Sequence, residues 1–335
     1  MARRNGDPVD AVVALCYRCN LQCVTCDLAS RGPEALSPET LRKLPPSLAY
    51  VNVTGGEPLL LDDLVPGVRA IYEATGAEIT LSTNGTLPER TEEVVRDLRR
   101  DVEGLRVAVS IDGLEATHDH IRQAPGAFRK ALATVERLHP LLGGDLHLAF
   151  TISAANAAEF DGVASLAREY RLPLSLALTH TSEHYFRPQA EAVPAKEEAL
   201  TAVDAATRYY LREFSPQAAG RAYFAAGLAT VVATGRRPLP CRAGDRFFYL
   251  DPRGEVYLCN MRVETLGSLE RASFEEIWER RRRRELLPTT GPACPIQCWM
   301  VCTARTSIQD SRLRAAAWAA LAYLSTWCGG APPRP

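Results

Sequence analysis

Short apolar runs alternate with longer amphipathic segments along the first half of the chain. The apolar runs have the length of β-strands and lie at residues 11–15, 50–54, 77–81, 105–111, 146–152 and 174–178. The segments between them have helical periodicity and lie at residues 38–43, 61–74, 89–100, 126–138 and 159–170. This alternation predicts βαβ units and a parallel sheet.

The number of predicted strands indicates the architecture. Six strands joined by helical crossovers fit an open or partly closed barrel better than two packed β-sheets. A complete eight-stranded barrel of this kind typically needs ~250 residues, whereas the alternation fades near residue 178. The sequence therefore predicts the α/β class, with a partial (β/α)6 TIM-like barrel.

The pattern changes after Pro194. Two alanine-rich helices are predicted at residues 195–214 and 217–234, and the turn sequence at 251–254 predicts a β-hairpin of residues 247–250 and 255–258. Further helices are predicted at residues 273–285 and 307–327. We divide the chain into a barrel core (1–190), a helical connection (191–240) and a small cysteine-rich module with a closing helix (241–335).

Composition and charge exclude several classes of protein. Among the 335 residues, 39 basic and 40 acidic side chains nearly cancel, so no basic field indicates a nucleic-acid partner. The longest apolar run, residues 315–324, is about half of the ~20 residues that cross a bilayer. No signal-peptide stretch follows the charged start. We expect a cytoplasmic protein without a membrane span.

The ten cysteines fall into two groups. Four lie between Cys16 and Cys26, five lie between Cys241 and Cys302, and the last is Cys328. Grouped cysteines in a cytosolic chain bind metal or perform redox chemistry more often than they form structural disulfides. The two groups therefore predict two separate sites.

The first group follows the first predicted strand directly, with the spacing Cys19-x3-Cys23-x2-Cys26. Three thiolates can hold three irons of a four-iron four-sulfur cluster and leave the fourth iron an open coordination position. Catalytic metal sites retain such a position for a substrate or cofactor. The spacing leaves alternatives open: a structural zinc site, or a closed four-thiolate site that also uses Cys16.

Polar loops follow the next three predicted strands, at the ends where parallel α/β folds bind ligands. They are Gly-Gly-Glu-Pro at residues 55–58, Ser-Thr-Asn-Gly at 82–85 and Ser-Ile-Asp-Gly at 110–113. Together with the cysteine triplet, their order strongly resembles the radical S-adenosylmethionine (radical SAM) superfamily. The resemblance covers roughly residues 12–178.

The resemblance implies a role for each loop. Cys19, Cys23 and Cys26 would ligate the catalytic cluster. The loop of Gly55, Gly56, Glu57 and Pro58 would receive the methionyl amino group of S-adenosylmethionine, with the Glu57 carboxylate facing the ammonium. The positions that in similar proteins approach the methionine or the ribose are Ser82, Thr83, Asn84, Ser110 and Asp112. Thr25 also belongs to the cofactor site, although the family often has an aromatic residue there.

The second cysteine group resembles the SPASM domain, or the shorter twitch domain, which bind auxiliary four-iron four-sulfur clusters. A complete SPASM pattern has seven cysteines, whereas this region has five, or six with Cys328. We therefore expect one auxiliary cluster and no second one. Its ligands would be Cys241, Cys259 and two among Cys294, Cys298 and Cys302, with structural zinc as the alternative.

By this resemblance the chain is an enzyme. It would cleave S-adenosylmethionine reductively to a 5′-deoxyadenosyl radical and abstract a hydrogen atom, using an external electron donor such as flavodoxin or ferredoxin. The substrate would be a natural-product precursor, either a small molecule such as a sugar or aminocyclitol or a ribosomally made peptide. Oxidation, epimerisation and cross-linking all remain open as outcomes.

The loop after the sixth predicted strand is the candidate for substrate contact, because it opens at the same end of the barrel as the other loops. Its candidate residues are His180, Ser182, Glu183, His184 and Tyr185. An alternative from another class is a non-catalytic iron–sulfur electron carrier or a zinc-stabilised binding protein.

Overall fold

The computed structural model describes residues 6–180, 182 and 192–335. One sheet of nine strands forms its centre. Strands β1 to β9 span Asp10–Ala14, Tyr50–Thr54, Glu78–Thr83, Leu105–Ser110, Leu146–Ile152, Leu174–Leu178, Phe247–Leu250, Glu255–Tyr257 and Thr265–Ser268. Helices α1 to α12 span Pro38–Leu41, Leu64–Thr75, Pro88–Leu98, Glu115–Arg122, Ala127–Leu142, Phe160–Glu169, Lys196–Tyr210, Pro216–Thr234, Phe274–Glu279, Arg281–Leu286, Val301–Asp310 and Arg312–Trp327.

The first six strands confirm the predicted partial barrel. They are neighbours in chain order, and every pair is parallel. All five residues of β1 are buried, as expected for a parallel strand covered on both faces, and its residues after Asp10 read as an uninterrupted apolar run. The parallel register brings the carboxyl ends of these strands to one edge of the sheet, which positions the loops that follow them.

The cysteine-rich module continues the same sheet. Strand β7 pairs in parallel with β1, with Asp10 opposite Phe247, and β8 and β9 follow in antiparallel order. The predicted hairpin of β7 and β8 is therefore correct, whereas β9 was not predicted. The domain boundaries at residues 190 and 240 stay predictions.

Helix α8 connects the barrel to the module, and its residues 222–229 are all buried. Its residue Gly227 lies so close to Trp299 that a Cβ there would approach the indole Nε1 to 2.4 Å. The Trp299 indole is 3% exposed and donates a hydrogen bond from Nε1 to the carbonyl of Phe224 at 2.9 Å. This contact fixes the segment before α11 against α8.

Three helical predictions differ from the structure. Helix α4 is absent from the predicted set, because only His118 and Ile121 of its eight residues are buried and no apolar periodicity marks it. The helix predicted at 273–285 divides into α9 and α10 at Arg280, whose ψ of 146° is extended. The closing helix begins earlier than predicted, at Val301, and is interrupted at Ser311.

No helix in the described part of the chain combines the length and the apolar character that crossing a membrane requires.

Candidate functional site

The loop that follows β1 brings its cysteines to the carboxyl edge of the barrel. Cys19, Cys23 and Cys26 line one cavity of about 210 Å³, which we call the cofactor cavity. Helix α4 supports this loop, because the backbone N–H of Val24 donates to the carbonyl of Ile121 at 2.9 Å. The strand end and the helix together hold the three thiols around one space.

Each of these three sulfurs accepts a hydrogen bond from the surrounding protein. Asn84 Nδ2 lies 3.9 Å from Cys19 Sγ, Arg122 Nη1 lies 3.8 Å from Cys23 Sγ, and the N–H of Leu28 lies 3.4 Å from Cys26 Sγ. Such donors orient thiolates and tune the potential of iron–sulfur clusters. Burial raises the pKa of Cys26 to about 12, so a bound cation is needed to hold it as a thiolate. The donor set fits an iron–sulfur cluster.

Cys16 does not belong to this group. Its side chain is fully buried behind the cavity, and its Sγ donates to the carbonyl of Glu57 at 3.7 Å. The cysteines that line the cavity are Cys19, Cys23 and Cys26. The structure therefore does not assemble the closed four-thiolate site that the spacing left open.

Within the described residues, no group of three or more His, Cys, Asp or Glu side chains is gathered tightly enough to hold a single metal ion. A four-iron cluster distributes its ligands over separate irons, so its thiolates need not converge on one point.

Two glycines allow the second loop to pack directly on the cysteine loop. A Cβ on Gly56 would lie 2.1 Å from the carbonyl oxygen of Arg18, and one on Gly55 would lie 2.6 Å from that of Cys16. The backbone N–H of Gly56 donates to the Cys16 carbonyl at 2.7 Å. Both glycines line the cofactor cavity, so this close approach presents their backbone to any bound ligand.

The Glu57 carboxylate is not part of the cavity lining, and its contact with an ammonium group stays a prediction. It is completely buried and accepts hydrogen bonds from Leu59 N at 3.0 Å, Thr83 Oγ1 at 3.0 Å and Asn84 N at 2.7 Å. Burial raises its pKa to about 6, although these hydrogen bonds act in the opposite direction. Glu57 holds the loop after β2 against the loop after β3. Pro58 also lies outside the cavity lining.

Asp112 lines the cofactor cavity and forms several polar contacts there. Its Oδ2 forms an ion pair with Arg122 Nη2 at 2.6 Å, and its Oδ1 accepts from the Thr151 N–H at 3.0 Å. Its own N–H donates to His118 Nδ1 at 2.9 Å. Burial lowers the pKa of His118 to about 4, so the imidazole is neutral and acts here as a hydrogen-bond acceptor that fixes the loop.

Arg122 is a site residue that the sequence interpretation missed. It lines the cofactor cavity and contacts both Asp112 and Cys23. Recognising residues 115–122 as a helix would have revealed Arg122, because the last turn of that helix contacts the cysteine loop. The arginine supplies a positive charge between the cluster thiols and the carboxylate.

Most of the other predicted residues come together in this cavity. The predicted cofactor-site residues that line it are Thr25, Gly55, Gly56, Ser82, Thr83, Asn84, Ser110 and Asp112. Of the predicted substrate loop, His180 lines the cavity, and Ser182 is buried but not part of the lining. Glu183, His184 and Tyr185 lie outside the described residues.

A second cavity of about 230 Å³ lies deeper in the barrel, and we call it the barrel chamber. Its lining includes the ion pair of Asp10 with Arg305, and the guanidinium of Arg305 also lies 4.0 Å from the ring centre of Tyr50. Burial lowers the pKa of the lining residue His147 to about 4. The residues that line both cavities are Ser82, Thr151 and Ala177. The two spaces are therefore adjacent.

The second cysteine group also gathers around one space, a cavity of about 20 Å³ that we call the auxiliary cradle. Its cysteines are Cys241, Cys259, Cys294 and Cys298. Cys302 instead lines the barrel chamber, and its Sγ lies 3.5 Å from Asn260 Oδ1. Cys328 is exposed just after α12. The four cradle cysteines match the number of ligands that a four-iron cluster takes when all its ligands are protein thiolates.

Family models match both halves of this arrangement. Residues 13–151 match the Radical SAM superfamily, and residues 241–303 match SPASM, an iron-sulfur cluster-binding domain. The chain belongs to the radical SAM superfamily and carries a C-terminal SPASM domain. It is therefore an enzyme of a class whose domains imply four-iron four-sulfur clusters and S-adenosylmethionine.

Individual relatives agree with this assignment. The chain is 29% identical to an AdoMet-dependent heme synthase from Methanosarcina barkeri, covering 78% of this chain and 79% of that protein. It is 26% identical to the mycofactocin maturase MftC from Mycolicibacterium smegmatis, covering 86% and 74% respectively. The solved structure of anSMEcpe with bound AdoMet superposes with a TM-score of 0.65 at 15% identity, covering 93% of this chain and 95% of that one, which shows a shared fold.

Proposed function

We propose that the chain binds S-adenosylmethionine in the cofactor cavity and uses it to abstract a hydrogen atom from a natural-product precursor. Cys19, Cys23 and Cys26 would hold a reduced cluster that supplies the one electron needed to cleave the sulfonium to methionine and a 5′-deoxyadenosyl radical. The observation that carries the proposal is the convergence of the three thiols, the Gly55–Gly56 backbone and the Asp112–Arg122 pair on one cavity. These groups are complementary to S-adenosylmethionine, which combines a sulfonium-bearing amino acid with a ribose.

Different polar groups of the cavity orient different parts of S-adenosylmethionine. Gly55 and Gly56 present backbone groups at the position where the methionyl amino group is to bind. Asp112 and Ser110, at the end of β4, lie where ribose hydroxyls are to bind. Arg122 compensates the negative charge of Cys23 and Asp112, so it fixes both against each other. Because these groups sit on strand ends and α4, they are held before any ligand arrives.

The substrate binds, in this proposal, in the barrel chamber beside the cofactor cavity. Its volume of about 230 Å³ is below the ~300–1,000 Å³ of ordinary ligand pockets. It suits a small metabolite or one side chain of a peptide. The names of the relatives include both a heme synthase and a maturase, and this volume favours a substrate part smaller than a tetrapyrrole. His180 lines the adjacent cofactor cavity, and we expect it to contact the substrate from that side.

The auxiliary cradle holds one further cluster, with Cys241, Cys259, Cys294 and Cys298 as its ligands. This assignment is supported by the four cysteines that line the cradle. Cys302 lines the barrel chamber but packs in the same cluster as Cys241, Cys259 and Cys298, and Cys328 is exposed. The electrons for the first cluster come from an external donor such as flavodoxin or ferredoxin.

The test is formation of 5′-deoxyadenosine by the anaerobically reconstituted protein with dithionite and S-adenosylmethionine. We expect the wild-type chain to form it, Cys23→Ala to form none, and Cys328→Ser, which alters an exposed thiol, to behave like wild type. Deuterium transfer from a labelled candidate substrate to 5′-deoxyadenosine would then identify the abstracted hydrogen. If iron loads fully and no 5′-deoxyadenosine appears, the proposed function is wrong.

A further inference from the structure

Arg237 lies between α8 and the first cysteine of the auxiliary cradle, and its guanidinium contacts the cradle directly. Nη1 donates to the carbonyl oxygen of Cys298, lies 3.9 Å from its Sγ and lies 3.3 Å from Thr303 Oγ1. Nη2 donates to Ser307 Oγ at 3.4 Å, and the guanidinium carbon lies 4.9 Å from the ring centre of Trp299. These contacts hold the cation against one cradle sulfur.

The charge of Arg237 is not neutralised by an acid. Within the described part of the chain its polar partners are carbonyl and hydroxyl oxygens and the Cys298 sulfur, and no carboxylate pairs with it. The side chain is half-buried, so solvent screens its charge only in part. Among these partners, the group that can carry a negative charge is the Cys298 sulfur, as a thiolate.

A second arginine at the cradle provides a contrast. Arg262 lines the same cavity, and its charge acts on Cys294. Unlike Arg237, it forms an ion pair with Glu264 at 2.5 Å, and its side chain is 10% exposed. Among the described residues that line the cradle, Arg262 is paired with a carboxylate and acts on Cys294, whereas Arg237 has no carboxylate partner and acts on Cys298.

We propose that Arg237 is a positioning residue that sets the reduction potential of the auxiliary cluster through its charge on Cys298. Reduction adds one electron to the cluster and makes it more negative. A fixed positive charge beside a ligand sulfur stabilises that state, as hydrogen bonds to cluster sulfurs do. The inference rests on the proposed auxiliary cluster but not on the radical reaction.

The test measures this potential in the full chain, without catalysis. Replacing Cys19, Cys23 and Cys26 together by alanine leaves the auxiliary cluster as the source of the electron paramagnetic resonance signal during a dithionite titration with mediators. In that background we expect Arg237→Gln to lower the equilibrium constant for reduction about tenfold, about 59 mV for a one-electron couple.

Matched variants separate charge from structure. Arg237→Lys retains the charge and should restore most of the potential. Glu264→Gln uncovers the charge of Arg262 and should shift the potential in the opposite direction. Arg236→Gln changes an exposed neighbour and should leave it unchanged.

Several results would overturn the inference. They are an unchanged potential in Arg237→Gln, an equal shift in Arg237→Lys, or loss of iron from both variants, which would mark a purely structural contact. Loss of iron from the glutamine variant alone would also overturn it, because the charge would then be needed to bind the cluster and not to set its potential. If the background chain binds no iron, the auxiliary cluster itself is refuted, whereas the radical reaction is judged separately by 5′-deoxyadenosine.

Discussion

Replacing Glu57 by glutamine tests whether this buried carboxylate organises the cofactor cavity from behind. The carboxylate accepts hydrogen bonds from Leu59 N, Thr83 Oγ1 and Asn84 N. Glutamine has almost the same shape but only one oxygen, and its amide nitrogen must face a donor. The substitution therefore leaves one or two buried donors without a partner, each at a cost of about 1–3 kcal/mol.

A second effect opposes this loss. Burial raises the pKa of Glu57 from its ordinary 4.5 to about 6, which corresponds to about 2 kcal/mol of destabilisation of the ionised form. Glutamine avoids that penalty at neutral pH. With one unpaired donor the two effects nearly cancel, whereas with two the loss of about 2–6 kcal/mol exceeds the avoided penalty of about 2 kcal/mol. Because two of the three donors share one carboxylate oxygen, we expect Glu57→Gln to lower the free energy of unfolding by up to about 4 kcal/mol at pH 7.5.

The pH dependence has a definite sign. Because the pKa of Glu57 is higher in the folded than in the unfolded chain, its contribution to stability is fully present below pH 4.5 and is lost as the pH rises through about 6. The wild type should therefore gain about 1 kcal/mol over Glu57→Gln between pH 7.5 and pH 5.

The assay is urea unfolding of the anaerobically reconstituted protein at both pH values, followed by circular dichroism, with calorimetric titration of S-adenosylmethionine. Glu103→Gln, at an exposed position, is the control and should match the wild type. Equal stability of Glu57→Gln and wild type at both pH values, with a loss of cofactor affinity alone, would refute the reasoning. The carboxylate would then be a direct ligand.

Three further substitutions test other parts of the site. Arg122→Gln leaves the Asp112 carboxylate buried without its cation, so the free energy of unfolding should fall by about 3–5 kcal/mol. The affinity for S-adenosylmethionine, measured by calorimetry, should fall at least ~tenfold, and Arg122→Lys should lie between this variant and the wild type. Gly56→Ala places its Cβ 2.1 Å from a carbonyl oxygen and should reduce iron loading at the first site, whereas Gly220→Ala, in open space on α8, should not. Cys302→Ser should retain the auxiliary iron in metal analysis, and Cys298→Ser should lose it; the reverse result would exchange their roles.

The barrel strands could be predicted because each places a row of apolar side chains in the core. Val51 and Val53 of β2 and Val107 and Val109 of β4 are fully buried, so these strands read as short apolar runs between polar segments. The loops at their carboxyl ends could be predicted for the same reason, since parallel strands place those ends together. The cysteine triplet after the first strand then indicated that the active site lies at this end of the barrel.

The remaining features depend on contacts between distant residues. Nothing local in the sequence shows that Glu57 turns away from the cavity, because two of its three donors, Thr83 and Asn84, lie 26 and 27 positions further along the chain. The pairing of β7 with β1 joins residues more than two hundred positions apart. The division of the second cysteine group likewise follows from α11, whose start sends Cys298 to the cradle and Cys302 to the chamber.

The pairing of β1 with β7 has a consequence for any attempt to shorten the protein. A chain ending at residue 240 would strip β1 of the neighbour that satisfies one row of its N–H and C=O groups. Such a bare edge on a strand whose last four residues are apolar is a template for intermolecular association. Truncation should therefore yield an aggregating fragment and not a minimal catalyst, which makes the C-terminal strands an essential part of the barrel's own architecture.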